Sequence, residues 1–171
     1  MYEIIGLRLL HVLGGIFWLG SGLFTSLFLL PSLAGAGPAA GTVMAGLQRR
    51  RLFTVLPAVA LVTVLSGLRL LWLVSGGLDR RYFASGSGRA FAVSGALALI
   101  AFLLGMLLAR PTMMRAAQLA ATMQSVADDH ERAARAERIA SLQRRGATMN
   151  RLTILLLTFG AAGMAVARYL Q

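Results

Sequence analysis

Four apolar stretches limit what this chain can become. They run at about 4–30, 52–74, 90–109 and 152–167. A bilayer core about 30 Å thick is crossed by roughly 20 apolar residues in an α-helix. In lipid every backbone polar group needs a partner inside its own segment, so such stretches become helices. The sequence predicts an all-α protein, a polytopic four-helix bundle in one membrane domain spanning 1–171.

Outside these stretches only one polar segment of about 40 residues remains, which leaves no room for a separate soluble domain. Composition agrees: 57% of residues are hydrophobic and 13% charged. Soluble domains average roughly 45–50% and 25%. The net charge is +11 and every basic residue is arginine. In a membrane chain, arginines orient the spans and face anionic lipid; nucleic acid is not expected. The absence of cysteine excludes thiolate metal sites and thiol chemistry. Residues 33–36 resemble a signal-peptidase site, but Glu3 stands where a basic start belongs and the apolar run is too long. The first stretch is read as a retained span.

Pro31 is expected to stop the first helix, because proline lacks the N–H that continues the ladder. Pro38 can open a short helix in the connector that follows, and Pro57 sits one turn into the second span. Ser87 is positioned to cap the third. That span carries small residues at helical spacing, Ser94/Ala98 and Ala101/Gly105/Ala109, a pattern that lets helices in lipid approach closely. Beyond Arg110-Pro111 the polar segment stays helical in pattern. Met113, Ala117, Ala120, Met123 and Ala127 form one face, and Ile139, Leu142, Gly146 and Met149 another. Asp128 with Glu131 reads as a helix start. Helices 3 and 4 are thus expected to extend into water as a helical hairpin over about 111–150.

Eleven arginines fall on the side of the first and third connections and six near the other. The positive-inside rule puts the hairpin in the cytoplasm and both termini outside, periplasmic in a bacterial inner membrane.

Two residues inside the spans can carry chemistry. His11 lies about 10 Å below the outer boundary at 1.5 Å per residue. An ionisable group at membrane depth is a functional candidate, and imidazole can ligate haem iron, copper or a chlorin magnesium. Met164 stands at a matching depth on the fourth helix, and its thioether suits haem or Cu(I). Arg69 and Arg8, at the same level, can meet haem propionates or simply Glu3. The competing reading is structural: His11 donates to a neighbouring helix and Met164 only packs. His130 falls in the predicted turn, too far away to be a second ligand. Phe17 and Trp18 can line a cofactor or belong to the packing. Apart from Glu3 at the edge no carboxylate enters the spans, so proton-coupled transport and acid–base hydrolysis lack their usual groups.

His11, Trp18 and Gly20 in the first of four spans resemble the copper-resistance D (CopD-like) membrane proteins and related bacterial four-helix families. A similar first helix occurs in protoporphyrinogen-oxidase-like and urate-oxidase membrane domains. Arg49-Arg50-Arg51, Ser66-Gly67, Arg110-Pro111 and the charged return to the fourth helix extend the likeness. The resemblance implies haem or copper at His11; the further histidines that haem-linked members use have no counterpart here.

Two functions follow. One is a non-catalytic accessory or scaffold subunit that packs through Gly/Ala-rich faces on other membrane subunits, such as those of a respiratory or photosynthetic complex, or on its own copies. The other is a protein that binds haem, copper or a pigment through His11, with Met164.

Overall fold

A computed structural model describes residues 1–37, 39–123 and 128–170; Pro38 and Ala127 lie outside these. The described residues form helices and turns without strands. The elements are α1 (Tyr2–Gly35), α2 (Ala39–Arg49), α3 (Leu52–Val74), α4 (Arg80–Ala84), α5 (Gly86–Ala121) and α6 (Asp129–Tyr169). α1, α3, α5 and α6 are long and apolar enough to cross a membrane, one for each apolar stretch.

Large side chains point outward and small ones inward. Phe17, Phe28, Val93, Leu107 and Phe159 are exposed, while the buried positions include Ala60, Thr63, Ser66, Ser94 and Ala101. Water would penalise that arrangement. Lipid does not, because its tails are as apolar as leucine and helices there associate through close packing of small residues.

The chain divides into two compact units, 1–102 with 154–171, and 103–153. In the first, α1 meets α3 where Gly14 lies against the Thr63 side chain. Gly22 of α1 faces Ile154 of α6, and Gly160 and Gly163 of α6 lie against Ser94 of α5. Trp18 packs edge-on against Phe102, with centroids 6.2 Å apart. In the second unit, Gly105 faces Thr153, Gly146 lies on Met113, and Arg135 donates to the Thr122 carbonyl. These contacts pair the two helical segments antiparallel. Ile139 and Ala116 are buried there, whereas Ala117 and Ala120 are exposed. The expected face is displaced by one residue, because an alanine-rich helix carries little hydrophobic contrast to set its phase.

Pro31 does not end α1. The helix opens into a π turn at Thr25–Leu29, where Leu30 N–H reaches the Thr25 carbonyl five residues back, and then continues through Pro31 to Gly35. The same device precedes Pro111: a π turn at Leu104–Ala109, with Arg110 N–H on the Gly105 carbonyl. A proline ring collides with the carbonyl four residues earlier, and a widened turn moves that carbonyl away. α3 likewise runs through Pro57.

One of the two expected caps is displaced. The side chain that caps α5 is Ser85, whose Oγ accepts from Gly88 N–H at 3.0 Å, and not Ser87. Asp128 caps α6 as expected, accepting from His130 and Glu131 N–H. Glu131 pairs with Arg135 and Asp129 with Arg132.

The turn before α4 is tight. Gly76, Gly77 and Leu78 have φ of +64°, +86° and +69°. Glycine adopts such angles freely and leucine does not. Ser75 Oγ accepts from Leu78 N–H at 2.8 Å and holds the turn closed. α4 then starts on Asp79, which accepts from Arg81 N–H. Gly88 sits so close to the Tyr82 carbonyl that a Cβ would collide with it, which seats Tyr82 against the start of α5.

Candidate functional site

His11 is half-buried on α1. Its Nδ1 lies 2.8 Å from the Thr63 carbonyl on α3. A carbonyl only accepts, so Nδ1 carries the proton and donates. In the tautomer with the proton on Nδ1 the lone pair is on Nε2, which has no hydrogen-bond partner among the described residues.

Gly67 makes this bond possible. A helical side chain covers the turn N-terminal to its own Cα, so residue 67 would screen the residue-63 carbonyl. With glycine there the carbonyl is open to another helix. A Cβ at Gly67 would stand 2.6 Å from His11 Cε1 and 2.9 Å from Nδ1. Ser66 Oγ also donates to this carbonyl, at 3.0 Å.

The imidazole borders a pocket of about 550 Å³ within the first unit. α3 contributes Gly67 and Leu68, and α5 contributes Phe91, Gly95 and Leu99. Met164 is on the wall, as are Arg8, Tyr82 and Arg168. The structure therefore brings His11 and Met164 to one cavity. Arg8 stands one turn from His11 and Arg168 one turn from Met164, each toward its chain terminus. Tyr82 is partly buried, and desolvation raises its hydroxyl above the ordinary phenol range. It remains a neutral donor.

Arg69 is not on the pocket wall. Its Nε and Nη2 donate to Glu3 Oε1 at 2.9 and 2.8 Å, which is the second of the two roles open to it from sequence. Trp18 and Phe17 do not line the pocket either; Trp18 packs on Phe102 and Phe17 is exposed. His130 is exposed at the start of α6.

Reading from sequence missed Gly67, Gly95, Tyr82 and Arg168 as site residues. Arg168 had a usable signal, the i,i+4 spacing from Met164. The glycines contribute by having no side chain, which no motif announces.

Among the described residues no three His, Cys, Asp or Glu side chains gather as a metal site. One imidazole and one thioether on a cavity of about 550 Å³ are a poor cage for a bare ion. They suit a larger ligand, since pockets for small organic molecules run to about 300–1,000 Å³. A flat apolar macrocycle with a central metal and acidic edge groups matches the groups present: imidazole Nε2, a thioether, apolar walls, and two arginines.

Comparison with protein-family models, curated proteins and solved structures finds no match.

Proposed function

We propose that this chain is an integral membrane protein that binds a haem-like tetrapyrrole in the pocket beside His11. The carrying observation is the Nδ1–H bond to the Thr63 carbonyl, which leaves Nε2, on a ring that lines the pocket, without a hydrogen-bond partner among the described residues. This is the arrangement that metal-binding histidines commonly use to fix their tautomer. His11 Nε2 would hold the metal, with Met164 as a second soft ligand and Arg8 and Arg168 receiving acidic groups. Tyr82 would donate at the same rim. Bound haem would supply one-electron chemistry; the protein's part is to bind, orient and exclude water. We assign no catalytic residue.

In this reading the four long helices form one bundle, with the 103–153 segment as a cytoplasmic hairpin and both termini periplasmic, as the arginine distribution supports. The test is an absorption spectrum of the protein purified from membranes, with metal analysis. A Soret band and about one metal per chain should appear in the wild type and vanish in His11→Ala. A colourless, metal-free protein that remains so after haem is added would reject the proposal.

The accessory-subunit reading keeps one observation of its own. A Cβ at Gly6 or Gly20 of α1 would meet nothing within 4 Å, which leaves small-residue surface free for another membrane helix. A colourless protein co-purifying with a large complex would favour it.

A further inference from the structure

Within 103–153, a groove of about 620 Å³ runs between α5 and α6, lined by Arg115, Gln118, Leu119, Thr122, Arg138 and Leu142. Two of these are arginines without a carboxylate. Arg132 pairs with Asp129 and Arg135 with Glu131, but among the described residues Arg115 and Arg138 make no ion pair. Arg135 also donates to Thr122 at this groove, but Glu131 already offsets its charge. The two uncompensated arginines lie on different helices, and Leu119 and Leu142 give the groove an apolar part.

We infer that this groove binds a soluble organic phosphate, with the phosphate between Arg115 and Arg138 and the organic part on the two leucines. Guanidinium forks match phosphate oxygens in geometry and charge, and the Gln118 amide adds a polar contact. With Arg110 at the membrane boundary the groove runs from the edge of the headgroup layer outward, which favours a soluble ligand over a lipid. Arg110 is the first charged residue after the apolar part of α5. At 1.5 Å per residue, Arg115 lies about 8 Å and Thr122 about 18 Å beyond it. The headgroup layer on one side is only about 5–8 Å thick.

ATP is the probe, titrated calorimetrically into the full-length protein in phosphatidylcholine nanodiscs at physiological salt. One saturable site per chain is expected, with inorganic phosphate competing at least about tenfold more weakly because it lacks the organic part. Arg115→Gln and Arg138→Gln should each weaken ATP by about tenfold or more. Arg144→Gln and Arg145→Gln, outside the groove, should change it by less than about threefold. Glycerophosphoglycerol, a phospholipid headgroup without its tails, should displace ATP no better than inorganic phosphate does. Absence of saturable binding would overturn the inference. So would equal weakening by the Arg144 and Arg145 variants, which would mean diffuse charge, or displacement by glycerophosphoglycerol in preference to inorganic phosphate, which would mean a headgroup site.

Discussion

At residue scale the proposed site depends on two atoms, His11 Nδ1 and the Thr63 carbonyl oxygen, and on the missing Cβ of Gly67 that lets them meet. Gly67→Ala drives a methyl into the imidazole. It should cost about 1–3 kcal/mol in a detergent melt and lower haem affinity, because the ring must turn off the carbonyl. Thr63→Val is the informative contrast. The acceptor is main chain, so the ring should keep its orientation, and the only polar loss is the Thr63 Oγ–Val59 carbonyl bond. A change of no more than about 1 kcal/mol is expected, with ligand binding intact in an absorbance titration. His11 and Met164 were legible in the sequence because polar and soft atoms are rare in apolar spans. Gly67 was not, because a glycine in such a span reads first as helix packing.

The elements were legible from hydropathy alone where lipid sets the rules: each long apolar helix appears where an apolar stretch predicts it. Their ends were not. Local propensity stops α1 at Pro31, but the π turn at Thr25–Leu29 accommodates the ring and carries the helix to Gly35. The buried phase of 110–121 was equally obscure, since nearly every small residue there is alanine. Helix contacts separate two glycines that look alike in sequence. A Cβ at Gly160 would come 3.1 Å from the Ser94 carbonyl oxygen, and backbone cannot give way as a side chain can. Gly160→Ala should therefore destabilise by about 1–3 kcal/mol. Gly95 faces the pocket with nothing within 4 Å of a Cβ. Gly95→Ala should stabilise by up to about 1 kcal/mol through helix propensity. Gly95→Leu should fold and block the cavity. Unfolding midpoints of these variants in one detergent check the ordering.

For the whole molecule, the inward placement of Ala, Gly, Ser and Thr and the outward placement of Phe, Leu and Val argue for lipid as the solvent. The arginine asymmetry argues for an orientation. A cysteine at the exposed Ala134 should react with an impermeant maleimide only once the cytoplasmic face is opened; labelling of intact cells would reverse the topology. The sequence resemblance implies haem or copper at His11, and the proposed ligand is the larger of the two. Direct measurement is a haem titration of the purified protein, followed by Soret absorbance, with His11→Ala and Gly95→Leu in parallel. Saturation near one haem per chain is expected in the wild type, with loss of saturable binding in both variants. Haem that only partitions into the detergent, or equal saturation by His11→Ala, would contradict the proposed site.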